Sequence, residues 1–323
     1  MNAAGRLAAF GAGLVMAFAA AYGVAAAVAP GTAVTASQNP GADGPGGRAA
    51  TTGQASPVSL PSAGPPGLSL ARDGYVLSSV RAPIAPGDRG TLSFAIVDPD
   101  GEPLLDYATV HDKQLHLIVV RSDGQHFAHV HPVLDHTAGT WSTPWTWKAA
   151  GSYRVFADFQ PARADSTKLT LTRTVEVAGD FAPSHPAATR TMDEIAGYTV
   201  ELDGALSAGV SKQLTATVTR DGDPVTTLQP YLGAYGHLVA LREGDLAYLH
   251  VHPEGVEPVA GRTGGPAVSF AATAPTAGRY LLYLDFKVDD IVHTATFVVD
   301  AARGNTDQAE PEPSRDAGHA GGH

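Results

Sequence analysis

Two long segments of the chain, roughly residues 68–179 and 189–300, alternate apolar and polar positions over short runs bounded by Gly, Pro, Asp and Ser. That period of two is the mark of half-buried β-strands. In the first segment it predicts strands over Gly90–Val97, Gln114–Arg121, His126–His131, Ser152–Phe159 and Lys168–Val177. In the second it predicts Lys212–Arg220, Gly236–Arg242, Ala247–His252, Val268–Ala272, Arg279–Phe286 and His293–Val299. Short strands separated by turn residues indicate sandwiches, so the expected fold is all-β, with two tandem immunoglobulin-like β-sandwich domains.

The pattern changes at both ends. Leu7–Val28 is a run of 22 uncharged, mostly apolar residues preceded by Arg6 as the only charge. A signal peptide's apolar stretch runs about 7–15 residues, whereas a spanning helix needs about 20. Residues 1–29 are therefore expected to be a membrane anchor with Arg6 on the cytoplasmic side. The small residues Ala25 and Ala27 leave cleavage, and hence a secreted product, open. In both cases the rest of the chain lies outside the cytoplasm. Residues 30–67 and the tail 301–323 are rich in small and polar residues without periodicity and read as a disordered tether and a disordered tail. A Pro/His-containing linker near Phe181 to Ala188 joins the two segments.

The segments are copies of one design. AAGSYRVFADF at 149–159 matches TAGRYLLYLDF at 276–286, which puts Tyr153 on Tyr280 and Asp158 on Asp285. A Gly-x-Tyr entering a strand resembles the tyrosine corner of immunoglobulin-like sandwiches, in which the phenol caps nearby backbone.

A second repeated pattern carries the chemistry. His116 is followed after thirteen residues by His129, then His131-Pro132; His237 is followed after thirteen by His250, then His252-Pro253. If Asp123-Gly124 forms a two-residue turn, counting back along the hairpin sets His116 opposite His131, with His129 beside them on the same face. The same count over Gly244-Asp245, suited to a type II′ turn, sets His237 opposite His252 with His250 adjacent. Opposed Cβ atoms lie about 4.5–5.5 Å apart, close enough for three imidazoles to converge on one ion. The other face of each hairpin carries Leu115, Leu117, Val119 and Val130, repeated as Leu238, Ala240, Leu249 and Val251, and is assigned to the sandwich core. The histidine face also holds Ile118, Val120 and Phe127, matched by Val239, Leu241 and Tyr248. It is too apolar to lie bare, so the other domain, a second chain or a partner must cover it.

A His-x-His strand with a third histidine on its neighbour has the ligand geometry of carbonic-anhydrase-like zinc sites, a likeness of geometry and not of fold. With no cysteine and only three methionines in the chain, thiolate and thioether ligation are excluded. Imidazole-only ligation favours Cu(II) or Zn(II), with Ni(II) as a further candidate. Asp158 and Asp285 are candidates for a fourth ligand or for a carboxylate that orients an imidazole. His293 is an extra candidate in the second repeat, which is therefore expected to bind more tightly. Ligand histidines must be neutral, so binding is expected to weaken as pH falls through about 6.5. His111, His126 and His136 fall off the shared pattern and are assigned to the surface; His319 and His323 are assigned to the solvated tail.

The alternative is that the histidines bond one another and backbone with no metal, in a membrane-tethered scaffold or adhesion module. Catalysis is the weakest reading, because no nucleophile elbow, phosphate loop or His-Glu-x-x-His helix occurs. A net charge of −11 without a basic stripe excludes nucleic acid as a partner.

The stretches HDKQLHLIVVRSDGQHFAHVHP (111–132) and YLGAYGHLVALREGDLAYLHVHP (231–253) resemble a family of bacterial exported proteins. That family is found especially in actinobacteria, and its members are mostly uncharacterised or labelled heavy-metal-associated. The resemblance implies an envelope protein with a copper or other heavy-metal connection and an envelope protein as partner.

Overall fold

The computed structural model describes residues 64–184, 188–255, 258–259 and 261–304. The apolar run expected to anchor the chain and the tail beyond residue 304 lie outside the described residues. Among the described residues every regular element is a strand, and no helix is long and apolar enough to cross a membrane.

In the first repeat, four antiparallel strands form one sheet in the order Leu169–Val177, Gly151–Phe159, Leu115–Arg121, Ala128–Val130. The facing layer is built from Tyr75–Leu77, Gly90–Phe94, Ile96–Val97, Val133–Asp135 and Thr140–Trp145, with Ala71–Arg72 at its edge. Leu92, Phe94 and Trp141 from that layer meet Leu117, Val119 and Val155 from the first in a closed core. The second repeat is built the same way. Gly236–Arg242, Gly278–Val288 and Ile291–Ala302 form one layer; Met192–Ile195, Tyr198–Gly204, Ser211–Arg220 and Ala267–Thr273 form the other. The residues assigned to the core from the alternation are there. Leu115, Leu117, Val119 and Val130 belong to the first core, and Leu238, Ala240, Leu249 and Val251 to the second.

Both tyrosine corners form. The Tyr153 hydroxyl donates to the Ala149 carbonyl at 2.9 Å, and the Tyr280 hydroxyl donates to the Thr276 carbonyl at 2.9 Å. Each phenol closes on backbone four residues upstream, which marks both halves as immunoglobulin-like sandwiches.

The hairpin register in the first repeat matches the count, with Ile118 opposite His129 and Leu117 opposite Val130. The turn itself is not a two-residue loop. The Gly124 amide bonds the Arg121 carbonyl at 2.8 Å and the Arg121 amide bonds the Gln125 carbonyl at 2.9 Å, so the loop is one residue longer. His126, at a left-handed φ of 55°, absorbs the extra residue and restores the register. Asp123 fixes the loop, accepting both Arg121 guanidinium bonds at 2.9 and 2.7 Å and the Gln125 amide at 3.1 Å.

The repeats diverge where their histidine strands change layer. In the first, Ala128–Val130 stays paired with Leu115–Arg121 and the chain crosses to the facing layer only after His131-Pro132, at Val133. In the second, only Tyr248 and Leu249 pair with Gly236–Arg242. From His250 the strand already pairs with Ala267–Thr273 of the facing layer, His250 opposite Thr273 and His252 opposite Ala271. The crossing comes several residues earlier, and one ladder runs unbroken through both layers.

The apolar histidine faces cover each other. Ile118, Val120 and Phe156 of the first repeat pack against Val239, Leu241, Leu246, Leu281, Tyr283 and Val298 of the second, with Phe127 and Tyr248 at the margin. Burying a large apolar side chain is worth about 1.5–3 kcal/mol, so a patch this size holds the sandwiches as one body. Polar contacts fix how they dock. The Phe127 and Tyr283 rings stack at 4.0 Å with 5° between their planes, and the Tyr283 hydroxyl donates to the Gly124 carbonyl at 2.7 Å. Gly124 permits this approach, since a Cβ there would lie 2.3 Å from Leu281 Cδ1 and its φ is +80°.

Candidate metal centre

Alternation along Leu115–Arg121 sends Leu115, Leu117 and Val119 into the core and turns His116 toward the other sandwich. His129, opposite Ile118 on the neighbouring strand, and His131 just beyond that strand turn the same way. One ring nitrogen from each of His116, His129 and His131 lies within 4.8 Å of the others. His116 Nδ1 is 3.1 Å from His129 Nε2 and 3.2 Å from His131 Nε2. Three nitrogens at metal–nitrogen distances of 2.0–2.1 Å in a tetrahedron stand roughly 3.4 Å apart, so His116 Nδ1 is within a few tenths of an ångström of that spacing from both of its partners.

The outer nitrogens decide the tautomers. His116 Nε2 lies 3.2 Å from the Val110 carbonyl and must be its N–H donor, leaving Nδ1 as a lone pair. His129 Nδ1 lies 2.9 Å from Asp285 Oδ2 and must donate there, so in a neutral His129 the Nε2 is a lone pair. With His129 neutral, His116 Nδ1 and His129 Nε2 face each other at 3.1 Å as two lone pairs; with His129 charged against Asp285, its Nε2–H donates to His116 Nδ1. A cation between them satisfies the pair, either that proton or a metal ion. A histidine whose far nitrogen is held by a carbonyl or carboxylate is also the usual form of a metal ligand.

Asp285 comes from the second sandwich. It is 2% exposed, and its other oxygen accepts the Thr294 hydroxyl at 2.6 Å. Of its two expected roles, the geometry gives the one that orients an imidazole. Its counterpart Asp158, opposite His116 on the adjacent strand, accepts the Thr170 hydroxyl at 2.8 Å but gives its second oxygen to Lys168 Nζ at 2.7 Å. The strand registers put Val292 where the first repeat has Lys168. Only Asp285 therefore keeps an oxygen for a histidine of the other half.

The remaining candidates separate. His237 stands beside the trio, its ring 6.1 Å from His116 and 6.2 Å from His129, and donates from Nε2 to the Leu232 carbonyl at 2.8 Å. The early layer change carries His250 and His252 into the ladder with Ala267–Thr273, so the expected pairing of His237 with His252 does not form. His252 is exposed and lines an outer cavity. His293 pairs with Phe286, one residue on from Asp285, so it lies on the opposite face of that sheet. There it meets Phe286 and Tyr198, at ring distances of 5.4 and 5.0 Å, and not the trio. The registers also align it with Leu169 of the first repeat.

His111 is the residue that spacing missed. Its ring is 5.3 Å from His237 and 6.4 Å from His116. The signal for it is His111-Asp112, a two-residue turn between Val110 and Lys113 with φ of 51° and 62°. That turn meets its counterpart in the second repeat, a Cβ on Gly233 falling 3.8 Å from His111 Cα.

Burial governs the protonation of the cluster. It pushes His116 down to about 2, aided by the neighbouring His129. It pushes His131 down to about 3, again aided by His129, and His237 down to about 4, with the Leu232 carbonyl partly opposing. The imidazoles of His116, His131 and His237 are thus neutral far below the ordinary histidine range, ready to coordinate. For the candidate ligands His116 and His131, competition from protons is thus moved well below the 6.5 expected of an ordinary histidine. A cavity of about 30 Å³ lies against His111, His116, His129 and His237, which is room for little more than a water molecule.

No curated protein matches the chain. Among solved structures, the D0-D1 domain of intimin aligns with 68% of this chain and 92% of its own length at 11% identity and a TM-score of 0.20. A Salmonella alpha-2-macroglobulin variant aligns with 75% of this chain at 16% identity and a TM-score of 0.22, the match spanning 15% of that protein. Likenesses this distant carry no functional argument. A family profile matches residues 70–179 and again 191–303, covering both sandwiches, and the chain belongs to that family, described as "Domain of unknown function (DUF8832)".

Proposed function

We propose that the protein binds one divalent transition-metal ion, of the Cu(II) or Zn(II) type, through His116, His129 and His131 of its first sandwich. The observation that carries this reading is the convergence of three imidazoles, with His116 Nδ1 3.1 Å from His129 Nε2 and 3.2 Å from His131 Nε2, while the outer nitrogens of His116 and His129 are held by the Val110 carbonyl and Asp285. An all-nitrogen site suits borderline ions such as these.

Asp285 orients His129 from the other sandwich, so metal binding and domain docking share one hydrogen bond. The adjoining cavity admits a water molecule as a further ligand but no organic substrate, which favours holding or delivering an ion over catalysis. The run Leu7–Val28 supports a place outside the cytoplasm at the end of a membrane tether, and envelope metal handling fits that place.

The test is calorimetric titration of the metal-stripped full-length protein with Cu(II) and with Zn(II) at pH 7.5, beside His129→Ala/His131→Ala and His250→Ala/His252→Ala. One ion per chain, lost in the first double variant and retained in the second, is expected. No binding by the wild type, or equal isotherms for wild type and the first variant, would make the histidines structural and return the protein to the scaffold reading.

A further inference from the structure

Resting on the metal-binding reading above, we propose that the ion reaches the buried trio through a histidine passage in which His252 and then His111 hand it inward from an outer cavity. The outer cavity measures about 540 Å³ and is lined by His252, Glu254 and His111. The inner one, about 30 Å³, is lined by His111, His116, His129 and His237. His111 and Pro253 line both spaces, which puts the two cavities side by side.

Ring spacing supports a transfer by ligand exchange. Imidazoles sharing a tetrahedral ion at 2.0–2.1 Å set their centroids roughly 5 Å apart. The trio's own centroids are 5.0–5.3 Å apart, and His111 and His237 match them at 5.3 Å. From His237 the next steps are 6.1 Å to His116 and 6.2 Å to His129. An ion held between His111 and His237 is therefore one ligand exchange from the trio.

A tight turn places the His111 side chain. His111 and Asp112 both adopt the left-handed conformation, closed by the Val110 and Lys113 amides bonding each other's carbonyls at 2.8 and 3.2 Å. A turn of this kind ordinarily takes Asn-Gly or Asp-Gly. The second repeat uses Leu232-Gly233 at the equivalent place, with φ of 55° and 75°. The turn of the first repeat thus presents a metal-ligating side chain where that of the second presents Leu232. The groups around His111 are His252, Lys168, Asp158 and Asp112; burial, Lys168 and His252 keep it neutral and able to coordinate.

The test is rapid-mixing loading of metal-stripped full-length protein with Cu(II), followed by its ligand-field absorption, with release into excess chelator measured separately. The variants are His111→Asn, which tolerates the left-handed turn, His252→Gln, and both together, with exposed His136→Ala as control. A passage lowers a barrier without entering the bound state. Loading and release should therefore both slow by about tenfold in the double variant, with one ion per chain and an unchanged Kd. A wild-type loading rate in the double variant would show direct entry past His131 and overturn the passage. So would a weaker Kd, which would make His111 or His252 a ligand. If the wild type itself takes up no Cu(II), the failure lies with the metal-binding reading; a wild type that loads beside variants that load equally fast fails the passage alone.

Discussion

Lowering the pH from 7.5 to 5.0 should destabilise the metal-free protein through the histidines buried at the junction of its two sandwiches. In the unfolded chain each titrates near 6.5. In the folded protein burial holds His116 at about 2 and His237 at about 4. Between pH 6.5 and about 4 the unfolded state therefore binds protons that the folded state refuses, and stability is lost as pH falls through that window. Each such group costs about 1.4 kcal/mol per pH unit. At pH 5.0 that is roughly 2 kcal/mol for His116 and the same for His237, about 4 kcal/mol together. His131, also pushed down but more open to solvent, adds a smaller, screened contribution. Set against a typical domain stability of about 5–15 kcal/mol, the loss is large. Asp123 and Asp245, whose partners hold them below the usual carboxylate range, stay ionised throughout this interval and do not confuse it. The assay is urea unfolding followed by circular dichroism at pH 7.5, 6.5, 5.5 and 5.0 in the presence of a chelator. His237→Gln, which keeps an amide donor for the Leu232 carbonyl, should remove about half of the slope below pH 6.5. Equal stability at pH 7.5 and 5.0 would refute the reasoning, because the cluster would then be accepting protons in its folded form.

Asp285→Asn should weaken metal affinity about 10- to 100-fold while leaving the β-type circular dichroism unchanged, since it removes the carboxylate that holds the His129 tautomer; unchanged affinity by calorimetry would show that Asp285 serves docking alone. For the N-terminal segment, protease added to intact spheroplasts is expected to remove both sandwiches, and full protection would reject the outward orientation.

Alternation along Gln114–Arg121 and Gly236–Arg242 was enough to separate core residues from the covered face, because side-chain direction in a strand depends only on parity. The tyrosine corners were equally legible, being local. The unequal fate of the two His-Val-His-Pro copies was not. Hairpin counting assumes that a strand keeps its partner, and the layer change that breaks this assumption is set by the packing of whole sheets. In the first repeat Val133–Asp135 continues as a separate strand on Thr140–Trp145, so the crossing waits until after His131. In the second, the crossing strand itself pairs with Ala267–Thr273 from His250 onward, and the histidines leave with it. Nor does spacing within one repeat foretell a bond from His129 to Asp285, which are 156 residues apart and meet only when the sandwiches dock. The docked pair is near-symmetric, and the symmetry is broken at single positions: Lys168 against Val292, His111 against Leu232, Phe156 against Tyr283. Duplication supplied two equivalent histidine sets, and these few differences leave the first gathered and oriented at the junction, while of the second His237 stands beside it and His252 lines the outer cavity. A pattern conserved in both copies thus came to serve two different places in one structure.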